Sequence, residues 1–323
     1  MKILRYLLEC VLLGLAMVVL MPALLLVFVA AIIRRGRMRS SPPPAEVRVL
    51  GWPLWNTTLD EAVARVMQIR RDREGPKKIF FLNTDCFNIA QRSEDYRQSL
   101  AGADVLLGDG IGVKIAGFVT DQKVRENVNG TDLFPKLCAA LEHEEHDDPR
   151  GIYLLGARPG VAQAVADWIR ANHPCAKVAG YRDGYFDPED SPNVAREIRE
   201  SGAAVLLVAQ GVPRQERWIT ENVEATGVDV AMGVGGLFDF YGDRIPRAPR
   251  WVRRLGFEWL YRLFREPRRM ARRYLIGNGL FLLRVFRYGK SDPLARREGD
   301  GSTAPSPGPQ PEPLKPLRRQ RTM

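Results

Sequence analysis

The segment "KKIFFLNTDCFNIA" (77–90) joins an apolar run to an abruptly polar one. "KKIFFL" has the length and composition of a buried β-strand, and Asn83, Thr84 and Asp85 follow it directly. Ligands of open α/β sheets bind at the carboxyl ends of the strands, so these polar residues are candidates for an active site. Asn, Thr and Asp are also common N-caps, so the segment equally predicts a capped helix.

Short apolar runs alternate with amphipathic segments on both sides of this strand. The predicted strands are 47–55, 77–82, 104–108, 151–156, 177–186, 203–209 and 229–234. The predicted helices include 59–72, 94–102, 132–146, 161–172, 194–202 and 214–227, and Thr58 with Glu61 forms a capping box before the first. This alternation predicts an α/β fold over 47–245, with a Rossmann-like, mostly parallel sheet and helices on both faces.

Glycine and polar residues recur where the predicted strands end. The segments concerned are "NTDCFN" (83–88), "DGIGV" (109–113), "ARPG" (157–160), "QGVPRQERW" (210–218) and "GGLFDF" (235–240). Five such ends on one sheet edge indicate a ligand crevice, and glycine-rich turns before helices favour phosphate groups. The G-x-G-x-x-G and Walker motifs are absent, which argues against a standard dinucleotide or ATP site.

The amino-terminal segment predicts a membrane anchor over 1–39. Residues 6–33 are almost wholly apolar, with Glu9 the only charge; as a helix they would extend about 42 Å, against about 30 Å of hydrocarbon. The basic "RRGRMR" (34–39) would stay in the cytoplasm. Lys2 and Arg5 precede the segment and Pro22 lies near its middle. These residues are also compatible with a re-entrant hairpin that has both ends in the cytoplasm. Either topology places residues 40–323 on the cytoplasmic side of the membrane.

The remaining segments flank the α/β domain. "SSPPPAE" (40–46) predicts a linker, and residues 291–323, rich in Pro, Gly, Ser and charge, predict a disordered tail. Residues 251–290 hold ten arginines and one lysine against two glutamates, with nine aromatic residues interleaved. This composition predicts an amphipathic helical module over 246–290 that contacts anionic membrane lipids. The formal charge of +10 would also suit nucleic acid, but the membrane tether favours lipid, so we expect no nucleic-acid partner.

Five motifs in order resemble the WecG/TagA/CpsF glycosyltransferase family over about residues 47–288. They are "DVLLGDGIGV" (104–113), "NVNGTDLFP" (127–135), "GIYLLGARPGVA" (151–162), "QGVPRQERW" (210–218) and the long run from "GVGGLFDF" to "RRMARRY" (233–274). The resemblance implies a membrane-associated, inverting transfer of a hexose-type sugar from a UDP-sugar to a polyprenyl-diphosphate-linked acceptor, in exopolysaccharide or cell-envelope polysaccharide synthesis. It also implies that the catalytic domain lies on the cytoplasmic face of a bacterial inner membrane. The resemblance leaves the donor undecided between UDP-glucose and a UDP-N-acetylmannosamine type. It also allows a homo-oligomer.

The same resemblance assigns roles to individual residues. It places the general base at Asp109, between the two glycines of "GDG", with Asp85 as the alternative. Because there is no D-x-D motif, we expect arginines and backbone amides to stabilise the leaving diphosphate without a metal or other cofactor. The residues expected to bind substrate are Asn83, Asp85, Asn129, Thr131, Asp132, Gly156, Pro159, Gly160, Gln215, Glu216, Gly236, Asp239, Arg247, Arg250, Arg262, Arg268, Arg272 and Arg273. Among them, the resemblance implies that Gly156, Pro159 and Gly160 shape the nucleotide pocket and that Arg247 and Arg250 reach a diphosphate.

A different class of protein would share the glycine-rich strand ends. A membrane-tethered nucleotide-binding scaffold or regulator needs those loops but needs neither a carboxylate at position 109 nor a lipid-facing module. The presence of "GDG", "NGTDL" and "PRQE" in one chain favours the enzyme.

Overall fold

The computed structural model describes residues 42–73, 75–143, 148–242, 244–249, 252–253 and 256–293. The predicted anchor over 1–39 and the tail beyond 293 lie outside the described residues. Within these ranges no helix has both the length and the apolar composition to cross a membrane.

Eight strands form one sheet in the order β1-β2-β4-β3-β8-β7-β5-β6. The β1–β2 pair is antiparallel, and the other neighbouring pairs are parallel. This confirms the α/β prediction. The strands are β1 (Glu46–Val49), β2 (Trp52–Trp55), β3 (Lys77–Leu82), β4 (Val105–Gly108), β5 (Ile152–Gly156), β6 (Val178–Arg182), β7 (Val205–Ala209) and β8 (Val230–Gly233).

Twelve α-helices are found in the described ranges. They are α1 (Leu59–Asp72), α2 (Thr84–Ala90), α3 (Glu94–Ala101), α4 (Ile111–Val119), α5 (Gly130–His143), α6 (Val161–Asn172), α7 (Ser191–Glu200), α8 (Arg214–Thr226), α9 (Leu237–Tyr241), α10 (Glu258–Arg265), α11 (Pro267–Ala271) and α12 (Asn278–Tyr288). A 3₁₀ turn (Pro188–Asp190) precedes α7, and a π-helical segment (Arg272–Gly277) joins α11 to α12. The predicted capping box of Thr58 and Glu61 is present at α1.

The single strand predicted over 47–55 is wrong, because this stretch is a β-hairpin. Leu50 and Gly51 adopt φ angles of 49° and 90° and reverse the chain between β1 and β2. Two successive positive φ angles are characteristic of the tight hairpin turns that fit strand twist. Apart from Glu46 and Arg48 in β1, the surrounding residues are apolar, so the turn has little signature in composition.

Two apolar cores sandwich the sheet, because successive strand residues point to opposite faces. In β3, Ile79 and Phe81 join the core formed with α1, α5, α6 and α9. Phe80 and Leu82 join the other core, with α2, α3, α4, α7, α8 and α12. Both faces are therefore covered by helices, as a doubly wound sheet requires.

The chain order places a crevice at one edge of this sheet. After β3 the chain pairs β4 on one side, and β8 later fills the other side of β3. The helices that follow these two neighbouring strands lie on opposite faces of the sheet, α2 after β3 and α9 after β8. This divergence opens space above the carboxyl ends of β3, β4 and β8. The helices from α10 to α12 close over this space, with α12 packed against α2 and α4.

The chain after α12 is fastened to the first hairpin. Leu50 N–H donates to the Gly289 carbonyl at 3.1 Å, and Gly51 N–H donates to the Lys290 carbonyl at 3.0 Å. Asp292, which the sequence analysis placed at the start of the tail, pairs with Arg97 at 2.6 Å.

Candidate active site

A cavity of about 990 Å³ occupies the crevice between the strand ends and the carboxy-terminal helices. Its floor comes from the loops after β3, β4 and β8, and its roof comes from residues 256–282. The polar side chains that line it are those of Asn83, Thr84, Asp85, Asp109, Asn127, Asn129, Thr131, Asp132, Gln215, Arg253, Glu258, Arg262, Arg273, Tyr274 and Asn278.

Asn83 satisfies both hypotheses raised by the segment 77–90. Its side-chain oxygen caps α2 by accepting from the backbone N–H groups of Asp85 at 3.0 Å and Cys86 at 3.3 Å. The same residue lines the cavity. The capped helix start therefore lies at the edge of the site.

The polar residues of α2 hold the carboxy-terminal helix in place. The Thr84 hydroxyl donates to Asn278 Oδ1 at 2.6 Å. The Asn88 amide donates to the Gly277 carbonyl at 2.7 Å and accepts from Arg284. Sequence reasoning missed this role, since the partners are about 190 residues apart.

Asp109 follows β4 directly and extends the sheet by donating its backbone N–H to the Leu82 carbonyl at 2.9 Å. Gly110 has a φ of 92°, a conformation that favours glycine, and donates its N–H to Asn127 Oδ1 at 2.5 Å. This turn leaves the Asp109 carboxylate partly exposed at the cavity wall.

Burial raises the pKa of Asp109 to about 6. The positive charge of Arg273 and a hydrogen bond from Asn83 oppose the rise, while the charges of Glu258 and Asp132 add to it. A carboxylate with a pKa near 6 is ionised at neutral pH and accepts a proton more readily than an ordinary aspartate. It is therefore suited to act as a general base.

Asp132 lies in the first turn of α5 and is held by the residue that caps that helix. Asn129 Oδ1 accepts from the Asp132 N–H, and the Asn129 amide donates to Asp132 Oδ2, both at 2.8 Å. Burial raises the pKa of Asp132, but the Asn129 hydrogen bond and Arg247 outweigh burial and hold it below its usual value. Asp132 therefore acts as an anionic anchor for neighbouring arginines.

The structure places Arg247 differently from the prediction that it reaches a diphosphate. Arg247 Nη2 donates to Asp132 Oδ1 at 2.8 Å, and its Nε lies 3.7 Å from Glu258 Oε1. It is outside the cavity lining. Arg253, which was not predicted, lines the cavity and donates to the same Asp132 oxygen at 3.1 Å.

Two predicted arginines do line the cavity. Arg273 Nε lies 3.3 Å from Asp85 Oδ2, and its Nη2 donates to Asn83 Oδ1 at 3.2 Å. The Arg262 guanidinium stacks 4.9 Å above the Phe240 ring. Arg262 Nε is buried and has no hydrogen-bond partner among the described residues.

Gln215 and Glu216 organise the loops on the β7–β8 side of the cavity. Gln215 Oε1 accepts from the N–H groups of Gly211 at 3.2 Å and Gly235 at 2.9 Å. Its amide donates to Glu216 Oε1 at 2.9 Å. Burial raises the pKa of Glu216 to about 7. Gln215 lines the cavity, whereas Glu216 is fully buried beneath it.

Several predicted site residues are not brought to the cavity. Gly156 ends β5, and Pro159 and Gly160 follow it. Because β7 separates β5 from β8, none of the three lines the cavity. Asp239 is buried and pairs with Arg244 at 2.7 Å. Arg272 is exposed and outside the lining. Arg250 and the side chain of Arg268 lie outside the described residues. Asn83, Asp85, Asp109, Asn129, Thr131, Asp132, Gln215, Gly236, Arg262 and Arg273 do line the cavity.

The residues that sequence reasoning missed come mainly from the carboxy-terminal helices. Glu258 and Tyr274 line the cavity, and Tyr274 contacts Trp259 edge-on at 5.9 Å between ring centres. One sequence signal for Glu258 was present, because this acidic residue interrupts a strongly basic segment. The basic and aromatic composition of that segment was interpreted only as a lipid-contacting surface. Asn127 was likewise overlooked inside the quoted motif "NVNGTDLFP".

The described residues contain no group of three or more His, Cys, Asp or Glu side chains placed to hold a metal ion. Metal independence stays a prediction.

The fold and the site together define a doubly wound α/β protein with a carboxylate and arginines around a cavity at the sheet's switch point. The model of the glycosyl transferase WecG/TagA/CpsF family matches residues 47–293. The chain belongs to this glycosyltransferase family.

Two relatives from Bacillus carry the same name, N-acetylglucosaminyldiphosphoundecaprenol N-acetyl-beta-D-mannosaminyltransferase. The chain is 30% identical to the protein of Bacillus subtilis (strain 168) over 220 residues, covering 68% of this chain and 84% of the relative. It is 31% identical to the protein of Bacillus spizizenii (strain ATCC 23059 / NRRL B-14472 / W23) over 183 residues, covering 57% and 69%.

Proposed function

We propose that this protein transfers a hexose-type sugar, with inversion, from a UDP-sugar to a saccharide on a polyprenyl-diphosphate carrier. Among the donors considered, the names of both relatives favour an N-acetylmannosamine type over glucose. Membership of the glycosyltransferase family supports the reaction class. The observation that carries the proposal is the partly exposed Asp109 carboxylate in a cavity that also holds Arg253, Arg262 and Arg273.

In this reaction the acceptor hydroxyl attacks the anomeric carbon of the donor, and the bond from that carbon to UDP breaks. Asp109 takes the proton from the attacking hydroxyl. Asn83 and Arg273 stabilise its ionised form, while burial keeps it basic enough to accept the proton. UDP leaves with the electron pair of the broken bond.

The departing diphosphate needs positive charge that is not already neutralised. Arg262 is the best-placed cation, since it lines the cavity, stacks on Phe240 and forms no ion pair with a described carboxylate. Arg273 and Arg253 are held by Asp85 and Asp132 and are expected to share their charge with the diphosphate. The arginines are thereby proposed to replace a divalent cation.

The lipid part of the acceptor fits the exposed apolar surface of the carboxy-terminal helices around the cavity mouth. Among the described residues, seven of the nine exposed large hydrophobic side chains belong to this region or touch it. Three of them line the cavity, namely Ile111, Phe257 and Phe264, and four lie outside its lining, namely Ile276, Leu280, Leu283 and Phe286. Exposed apolar residues beside arginines are typical of a surface that contacts anionic lipid. We therefore propose that the cavity mouth faces the cytoplasmic membrane surface, from which the carrier lipid enters.

The proposal is tested by UDP release from the purified, detergent-solubilised full chain in EDTA. UDP-N-acetylmannosamine, UDP-glucose and UDP-N-acetylglucosamine are offered in turn, with and without a short polyprenyl-diphosphate-N-acetylglucosamine acceptor. We expect acceptor-dependent release from one donor. UDP binding without acceptor-dependent release from any donor would support the scaffold alternative instead.

A further inference from the structure

Glu258 is an anionic side chain in the cavity wall with no hydrogen bond from any described residue. It is the first residue of α10 and lines the cavity. Its nearest described partner is Arg247 Nε at 3.7 Å, beyond hydrogen-bonding distance. Glu258 Oε1 is buried and faces that arginine. The other carboxylate oxygen is not among the buried atoms, and no described residue donates a hydrogen bond to it. A carboxylate oxygen without a donor in a partly desolvated site is costly, so a ligand that supplies one would be bound favourably.

The surroundings of Glu258 indicate which kind of ligand group would donate a hydrogen bond to it. Burial raises the pKa of Glu258, and the charges of Arg247, Arg253 and Arg262 counter the rise. The side chain is 28% exposed and lines the cavity, so the carboxylate oxygen other than Oε1 is reachable from the cavity. A neutral donor such as a hydroxyl fits a carboxylate that already lies in a field of arginines.

Arg262 lies one helical turn further along α10 and also lines the cavity. Residues four apart on a helix have neighbouring side chains, about 5–6 Å apart at Cβ. The pair therefore presents a hydrogen-bond acceptor and a cation side by side at the cavity wall. A glycosyl phosphate has the matching pattern, with ring hydroxyls next to an anionic phosphate.

We propose that Glu258 binds the sugar substrate by accepting a hydrogen bond from a ring hydroxyl, while Arg262 holds the adjoining phosphate. This inference rests on the proposed function and adds a sugar-binding residue to it. The hydroxyl belongs either to the sugar of the UDP-sugar donor or to the sugar next to the acceptor diphosphate. Both are glycosyl phosphates, and kinetics can distinguish them.

The test compares the wild type with Glu258→Gln and Glu266→Gln. The control removes the same charge from the residue that follows α10 and lies outside the cavity lining. Hydrogen bonds to a charged group contribute about 1.5–3 kcal/mol, so we expect Glu258→Gln to lower kcat/KM for one sugar substrate by about 10- to 100-fold. Affinity for UDP alone, which has no sugar at this position, is expected to stay within about twofold.

Monodeoxy analogues then identify the bond. One deoxy analogue should react about 10- to 100-fold more slowly than its parent with the wild type, and nearly as fast as its parent with Glu258→Gln. If that analogue is a donor, the donor sugar contacts Glu258; if it is an acceptor, the acceptor sugar does.

Two results would overturn the inference while the proposed function stands. One is an equal penalty for every deoxy analogue in both proteins. The other is a Glu258→Gln variant that has a lower melting temperature than the wild type and loses affinity for UDP, donor and acceptor alike. That result would indicate that Glu258 only holds Arg247 in place and does not bind the sugar. Failure of the wild type to show acceptor-dependent release is a different outcome, and it would overturn the proposed function together with this inference.

Discussion

The Thr84 hydroxyl donates a 2.6 Å hydrogen bond to Asn278 Oδ1, joining the start of α2 to the start of α12. This bond lies at the cavity, which both residues line. Asp85 continues the contact by pairing with Arg273. The polar residues after β3 therefore position the carboxy-terminal helices over the strand ends, and the cavity exists because these two distant parts of the chain meet.

The far end of the same helical segment is held by the ion pair of Arg97 and Asp292. The two side chains are 4% and 12% exposed, and Arg97 also approaches the exposed Glu94 at 3.6 Å. Removing one partner of a buried ion pair leaves the other uncompensated. Because Glu94 offers partial compensation, we expect Asp292→Asn to lower the free energy of unfolding by about 2 kcal/mol, below the usual cost of a broken buried pair.

Urea unfolding of the full chain measures this effect. The matched control is Glu94→Gln, which alters the exposed member of the cluster and should cost about 0.5 kcal/mol or less. Equal stability of Asp292→Asn and the wild type would contradict a fastening role for residues 289–292.

Activity should depend on pH through Asp109. Since its pKa is raised to about 6, the base is ionised above that pH and protonated below it. We expect kcat/KM to be level near neutrality and to fall about tenfold per pH unit below about pH 6. Arg273→Gln removes a charge that lowers this pKa, so its acid limb should move to higher pH. A wild-type profile that stays level down to pH 5 would exclude Asp109 as the base.

Arg262 should contribute to nucleotide affinity without a metal ion. Charge-assisted hydrogen bonds to phosphate contribute about 1.5–3 kcal/mol, so Arg262→Gln should weaken UDP binding by at least about tenfold in EDTA. Calorimetric titration measures this affinity. Arg265→Gln is the control, because Arg265 is an exposed residue of the same helix that contacts the Tyr261 hydroxyl. An equal loss of UDP affinity in Arg262→Gln and Arg265→Gln would indicate a general effect of positive charge and would contradict a specific role for Arg262.

The exposed apolar residues of the carboxy-terminal helices should affect turnover of membrane-embedded acceptor specifically. Leu283 and Phe286 are 64% and 59% exposed and lie outside the cavity lining. In anionic vesicles, Leu283→Ser with Phe286→Ser should lower turnover of a full-length polyprenyl acceptor by about tenfold, since two apolar contacts with lipid are lost. Turnover of a short, water-soluble acceptor should be unchanged.

Tyr185→Ser is the control for that surface, because Tyr185 is 68% exposed and follows β6 at the far edge of the sheet. It should behave as the wild type with both acceptors. A double variant equally impaired with both acceptors would contradict the lipid-facing assignment.

The sequence predicted the layered architecture because buried parallel strands are short, continuous apolar runs. β3, β5 and β7 were found from this pattern, and the polar residue after β4 was correctly placed at the cavity as Asp109. The hairpin at Leu50 and Gly51 was missed, since its flanking residues form one apolar stretch.

Roles that depend on long-range pairing could not be obtained from composition or spacing. Arg247 was assigned to a diphosphate, but Asp132 holds it across 115 positions of sequence. Gly156 and Pro159 were assigned to the nucleotide, but the strand order places β7 between their strand and β8. Neither the ion pair nor the strand order is encoded in a local motif.

The most direct measurement is the comparison of donor binding and sugar transfer in Asp109→Asn. The raised pKa means that ionised Asp109 destabilises the folded protein above about pH 6, so the substitution should not lower the melting temperature at pH 7.5. We predict donor affinity within about threefold of the wild type and transfer reduced by about 10²- to 10⁴-fold. Transfer above about a tenth of the wild-type rate, with folding and binding intact, would contradict Asp109 as the base and direct the same test to Asp85.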